Sequence, residues 1–234
     1  MDKALITLTF DDGLRCQFER AVPILDHYGF PATFFLVANT DPTHTDGGTH
    51  PEWRKINWNK EDIQLLKGMI RRGHEIGTHG VTHRRPEVEH DPKFEAEKSK
   101  EWIESRLGVE VTSYCYPFCL VTRRIKKAAV NAKYKQARGG AEGAYYPLQS
   151  LDLFNVDCRH VYRAGPENVV EWIRHPGCWH VLMFHGIGTN DDGWWPISVD
   201  EFSREMAELA KYRDSGKVEV VTFKEAADRF RQMK

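Results

Sequence analysis

The chain has 234 residues, 41% hydrophobic and 29% charged, with 33 Lys and Arg against 34 Asp and Glu and a formal net charge of −1. That length suits one large domain, or two small ones, around a sizeable core, and the balanced charge lacks the basic surplus of a nucleic-acid binder. No apolar run is long enough to span a membrane.

In chain order, short β-branched and aromatic runs predict strands over 5–10, 32–37, 74–78, 113–118, 134–138, 154–159, 180–185 and 218–223. Amphipathic spacing predicts helices over 17–28, 60–72, 92–107, 122–132, 167–174 and 199–213, with a last one starting at 225. Within 60–72, Ile63, Leu66, Met69 and Ile70 share a face opposite Lys67 and Arg71. Strand–helix alternation with short connections implies a parallel sheet flanked by helices. Seven or eight strands in a chain this size imply an α/β fold of the distorted (β/α) barrel kind rather than an open doubly wound sheet. No G-x-G-x-x-G or P-loop follows any strand, which removes the dinucleotide and P-loop readings. Without repeats or linkers, residues 1–234 read as a single catalytic domain. The first strand begins too early to leave room for a signal peptide, which reads as cytoplasmic unless an export leader has been removed.

Cys16, Cys115, Cys119, Cys158 and Cys178 form no C-x-x-C pair and are expected to be free, mostly buried thiols. Aromatic residues make up 12% of the chain, including seven Trp, and flat aromatic faces suit carbohydrate sites.

The unusual polar residues fall at the C-terminal ends of the predicted strands. Asp11 and Asp12 end the first, His79 and His83 follow the third, Tyr116-Pro117-Phe118 ends the fourth, Asp157 and Arg159 end the sixth, and His185 ends the seventh. A barrel of this type assembles its site on that face. Two adjacent carboxylates repel unless a cation or a shared proton sits between them, and Gly13 permits the sharp turn that aims both at one pocket. Taken alone, Asp-Asp-Gly is more often a solvated turn before a helix. Histidines four residues apart meet on one helical turn. Two imidazoles and a carboxylate make a zinc-type ligand set with a position open for water. His185, ending an apolar strand on the same face, is a candidate general acid.

The segments Thr9-Phe10-Asp11-Asp12-Gly13, Gly73-His74-Glu75-Ile76-Gly77-Thr78-His79, His79-Gly80-Val81-Thr82-His83 and Leu182-Met183-Phe184-His185 resemble, in that order, the motifs of polysaccharide deacetylases, the NodB-homology carbohydrate esterases. The resemblance runs from about Leu5 to Phe223. It implies a distorted barrel and metal-dependent removal of acetyl groups, N- or O-linked, from a sugar, oligosaccharide or polysaccharide. Carried over residue by residue, it makes Asp12, His79 and His83 the ligands of a divalent metal. Zinc comes first, with cobalt, nickel, manganese and iron also able to fit. It makes Asp11 the general base acting on metal-bound water and His185 the general acid, and the backbone N–H of Phe118 an oxyanion donor. Hydrolysis of a small cyclic amide or ureide, and a catalytically dead carbohydrate-binding relative, are the rival functions.

Two departures from the family pattern stand out. Many members carry Arg where this chain has Cys115, and that Arg orients the catalytic Asp; Arg138 or Arg159 is the expected replacement. Cys115 itself reads as an inert small hydrophobe rather than a ligand. Asp157 only loosely matches the family's fourth motif; it would tune His185 or simply pair with an arginine at the strand end. Tyr116, Pro117 and the adjacent Trp194 and Trp195 of the loop 188–196 are expected to line the substrate site, with Trp53 and Trp58 as further candidates for its wall.

Overall fold

A computed structural model describes residues 3–38, 53–84, 91–142, 145–147, 151–161 and 176–233. Nine strands are present among these: β1 (Ala4–Phe10), β2 (Thr33–Leu36), β3 (Glu75–Thr78), β4 (Ser113–Cys115), β5 (Gln136–Glu142), β6 (Tyr145–Pro147), β7 (Val156–His160), β8 (Cys178–Phe184) and β9 (Val218–Val220). A π-helical turn, Gln17–Ala21, runs into helix α1 (Val22–Tyr28). The others are α2 (Lys60–Arg71), α3 (Pro92–Leu107), α4 (Arg123–Asn131), α5 (Val199–Asp214) and α6 (Phe223–Gln232). The helix predicted over 167–174 lies outside the described residues.

Seven parallel strands close into a ring in the order β1-β2-β3-β4-β5-β7-β8, with β8 returning to β1. The ring is distorted at two seams. One edge of β1 pairs with β8 from Leu5 to Phe10, whereas the other is shared by β9 at Ala4–Ile6 and β2 at Thr9–Phe10. Similarly, β7 reaches β8 only at Leu182 and Met183, and antiparallel β6 occupies Cys178 to His180. The predicted strand over 113–118 ends at Cys115, because Pro117 lacks an N–H and starts a 3₁₀ turn. Strand β6 was not anticipated: three residues ending in Pro carry too little periodicity to announce a strand.

Strand alternation separates two buried cores. Leu8, Phe10, Phe34, Leu36, Leu182 and Phe184 face the helices and meet Phe18, Leu66, Met69, Phe202 and Met206. Leu5, Phe35, Cys115, Cys158, Trp179, Val181 and Met183 face inward. Helix α6, begun by a Thr222–Glu225 capping box, plugs the lower mouth of the barrel. Its Phe223 and Phe230 rings each lie 5.2 Å from that of Trp179. The lower end is therefore packed shut, and the upper end, where the strands' C-termini lie, is free to hold a site. Helix α5 buries one misfit: Glu205 is 2% exposed, and its Oε2 has no hydrogen-bond partner.

Candidate active site

The two carboxylates at the end of β1 reach the same cavity through an unusual turn. Asp12 and Gly13 both adopt left-handed backbone, φ 72° and 70°. A regular strand would send consecutive side chains to opposite faces, and a left-handed non-glycine residue is costly enough to signal a functional constraint. Asp11 N–H donates to the Phe184 carbonyl at 3.1 Å, so the end of β1 is tied to that of β8. Gln17 strengthens this tie, its amide donating to the carbonyls of Asp11 (2.6 Å) and His185 (2.9 Å).

His79 directly follows β3, and its Nδ1 bonds the Cys115 carbonyl at 3.0 Å. A carbonyl only accepts, so Nδ1 carries the proton and Nε2 keeps its lone pair. That Nε2 lies 3.7 Å from Asp12 Oδ1, and His83 Nε2 lies 3.3 Å from the same oxygen. The helical turn expected for His79–His83 does not form. Gly80 and His83 have φ of 80° and 54°, and the segment is an irregular bend. Glu95 of α3 holds it, accepting from the N–H of Val81 (2.6 Å), the N–H of Thr82 (3.0 Å) and the Thr82 hydroxyl (2.7 Å). A Cβ on Gly80 would come within 2.8 Å of Glu95 Oε2, so only glycine passes there.

Burial depresses both imidazoles, His83 to about 3, against the pull of the acids, so both are neutral and able to ligate. Burial would raise Asp12, but His83, Lys55, His185 and His79 outweigh it and keep the carboxyl ionised. The ligand atoms of Asp12, His79 and His83 all lie within 4.8 Å of one another. Asp12 Oδ1 and His83 Nδ1 are buried with no hydrogen-bond partner among the described residues. A buried anionic oxygen without a donor is strongly unfavourable, and it faces two neutral imidazoles. This donor set fits a divalent cation. Asp11, His79 and Cys115 form a second close group, but burial drives the Cys115 thiol well above its usual range. A protonated thiol is a poor ligand.

Arg138 comes from β5, fully buried, and its Nη2 donates to Asp11 Oδ2. Nη1 bonds Thr9 Oγ1 at 2.8 Å, and Nη2 also meets Cys115 Sγ at 2.8 Å. Burial would raise Asp11, yet Arg138, His79 and His185 together hold it below the ordinary carboxylate range. Arg159 and Asp157 go elsewhere. On β7 it is Cys158 and His160 that line the cavity, and alternation turns the odd-numbered residues to the other face. Asp157 packs against Gly140, and the neighbour of His185 is His160, with ring centroids 5.7 Å apart. Burial, then His185, lowers His160 to about 4.

His185 Nε2 lies 3.9 Å from Asp11 Oδ2. The cavity above these groups measures about 570 Å³ and is walled also by Phe118, Cys119, Leu120, Trp194 and Trp195. Phe118 has φ 59° and its ring packs 4.7 Å from that of His83. Tyr116 and Pro117 do not line the cavity: both are buried, and the Tyr116 hydroxyl donates instead to the Phe154 carbonyl at 3.0 Å. Trp194 and Trp195 stand at the mouth, 44% and 48% exposed. The Trp195 ring lies 4.6 Å from His160 and Trp194 lies 5.3 Å from Trp53, whereas Trp58 is buried with its N–H on the Val37 carbonyl. Gln17, Glu95, His160 and Lys55 were not singled out by sequence pattern. Each is an ordinary polar residue brought to the site by a long-range contact that no local spacing announces.

The family model described as polysaccharide deacetylase matches residues 1–137. No curated protein matches the chain. Among solved structures, the Xyl-CE4 domain of a multidomain xylanase from the hindgut metagenome of Trinervitermes trinervoides is 18% identical, covering 97% of this chain and 91% of that one, with a TM-score of 0.61. The polysaccharide deacetylase Bc1974 from Bacillus cereus is 16% identical over 93% of this chain and 91% of that chain, TM-score 0.55. BA3943 from Bacillus anthracis, a CE4 family pseudoenzyme, is 18% identical over 97% of this chain and 66% of that chain, TM-score 0.59. At these identities the likeness is one of fold, which agrees with the seven-strand ring. With its first 137 residues matched by the family model, the chain belongs to the polysaccharide deacetylase family.

Proposed function

We propose that this chain is a metal-dependent hydrolase that removes acetyl groups, amide- or ester-linked, from a carbohydrate. The observation that carries the reading is Asp12 Oδ1, buried, unpaired and faced by two neutral imidazole nitrogens, with Asp11 and His185 at the same cavity. Asp12, His79 and His83 would hold the cation, and two imidazoles with one carboxylate suit zinc best. When bound, such a cation polarises the acyl oxygen and acidifies water.

The remaining work falls to side chains. Asp11, kept ionised and aimed by Arg138, accepts the proton of the attacking water at Oδ2. The backbone N–H of Phe118 is the proposed donor to the oxyanion, since Pro117 has none to offer. As the tetrahedral adduct collapses, His185 Nε2 delivers a proton to the departing amine or alkoxide. Its 3.9 Å separation from Asp11 Oδ2 puts acid and base on one reacting centre. Trp194 and Trp195 offer apolar faces at the rim for a sugar ring.

Metal analysis of the purified protein, together with acetate release from acetylated oligosaccharides, tests the reading, with Asp11→Asn as the control. A protein that holds metal but releases no acetate from any acetylated sugar overturns the substrate assignment. A protein that binds no divalent metal overturns the mechanism.

A further inference from the structure

Two thiols in the cavity wall have no part in the proposed hydrolysis. Cys119 sits on the turn after β4, partly exposed, and Cys158 lies on β7; both line the cavity. Strand β5 runs between β4 and β7 in the ring. At this level it contributes Gly139 and Gly140, which have no side chain to set between the sulfurs, and the Cys158 thiol lies 3.7 Å from the Gly139 carbonyl. The two thiols are hydrogen-bonded to each other. The buried Arg138 guanidinium, already beside Cys115, supplies positive charge to the same cluster. Cys119 itself has left-handed backbone, φ 57°, next to Phe118 with φ 59°.

We propose that Cys119 and Cys158 are a redox-active dithiol, opened to the cavity through Cys119, that closes to a disulfide when a small hydroperoxide enters. The roles divide by environment. The hydrogen bond from Cys158 and the charge of Arg138 pull Cys119 below the usual thiol range, whereas Cys158 is pushed well above it. The Cys119 thiolate attacks one peroxide oxygen and breaks the O–O bond, giving a sulfenic acid and a hydroxide that is protonated to water. The Cys158 sulfur then attacks the Cys119 sulfur and expels the second hydroxide, which takes the Cys158 proton. Two thiols are oxidised, the hydroperoxide is reduced to two waters, and no further reductant is needed. Closure would tie the turn that carries Phe118 to β7.

The test needs no substrate, so its outcome is separate from that of the deacetylase reading. Reduced, metal-loaded protein is treated with hydrogen peroxide, blocked with an alkylating agent and mapped by mass spectrometry without reduction. The expected result is a loss of about 2 Da and a Cys119–Cys158 cross-linked peptide that dithiothreitol reverses. Before oxidation, Cys119 should be alkylated roughly tenfold faster than Cys16, whose thiol is buried and raised to about 11. In Cys158→Ser the sulfenic acid on Cys119 should persist and be trapped by dimedone; in Cys119→Ser the cross-link should vanish. A cross-link from Cys119 to Cys115, equal alkylation of Cys119 and Cys16, or no oxidation at all overturns the proposal. The wild-type peptide map decides even if a serine variant does not fold.

Discussion

Arg138 of β5 reaches Asp11 of β1 across the barrel interior, and both side chains are buried. A buried ion pair is expensive to break from one side, by about 3–5 kcal/mol, because the surviving charge is left in low dielectric. Arg138→Ala is therefore expected to lower kcat by roughly 10²-fold or more while metal content holds, because it is the aim and ionisation of Asp11 that are lost. Arg138→Lys should restore charge but not the fork that also grips Thr9, and recover only part of the rate. Arg159→Ala should leave turnover near wild type. Kinetics and metal analysis on the three variants check this, and full activity in Arg138→Ala would remove the positioning role.

Glu205 makes a prediction about stability and pH. Burial, with Glu208 adding to it, raises the carboxyl to about 7, well above its ordinary 4.5. The folded state thus holds a proton that the unfolded chain has released. Stability from this group is complete below about pH 4.5 and is lost as pH rises through about 7. Glu205→Gln should match wild type near pH 4 and be more stable at pH 8, by on the order of 1–2 kcal/mol. Urea denaturation at the two pH values measures the difference, and equal midpoints at pH 8 would refute it.

How far the site could be read without coordinates depended on strand parity. Asp11, Asp12, His79, His83 and His185 lie just beyond a strand end or in the bend that follows, so a boundary error of a residue or two leaves them at the upper mouth. Arg138, Asp157 and Arg159 lie inside strands, where a shift of one residue exchanges inside for outside. β5 starts two residues later than the pattern implies and runs on to Glu142, which leaves Arg138 mid-strand and facing Asp11. On β7 the inward set is Val156, Cys158 and His160, so attention fell on the wrong alternate residues. Gln17 and Glu95 belong to helical stretches whose patterns show only amphipathicity. Their hydrogen bonds to strand ends and to the His79–His83 bend exist only once the barrel has closed.

The proposed metal set predicts unequal consequences for neighbouring residues. His79→Ala or His83→Ala should reduce bound metal from about one equivalent to a small fraction, since two remaining ligands hold zinc poorly. Cys115→Ala should retain it, because that thiol is protonated and its sulfur meets Arg138 rather than a cation. Chelation of the wild type should lower Tm and zinc should restore it, as any ligand of the folded state alone must do. Elemental analysis and thermal melts provide the readout. Loss of metal in Cys115→Ala would make that cysteine a ligand.

The two rim tryptophans should separate kinetically. Trp194 packs on Trp53 at the outer wall, while Trp195 lies against His160 and within 6.0 Å of the His185 ring. If Trp194 serves only as a stacking face, Trp194→Ala removes binding that is equal in ground and transition states. KM should then rise roughly fivefold, about 1 kcal/mol, with kcat unchanged. Trp195→Ala also strips packing from His160 and the general acid, so kcat should fall together with the rise in KM. Trp195→Phe, which keeps an aromatic face beside the imidazoles, should recover kcat more fully than KM. Unchanged KM in both alanine variants on an acetylated oligosaccharide would mean that the rim merely shields the barrel top from water.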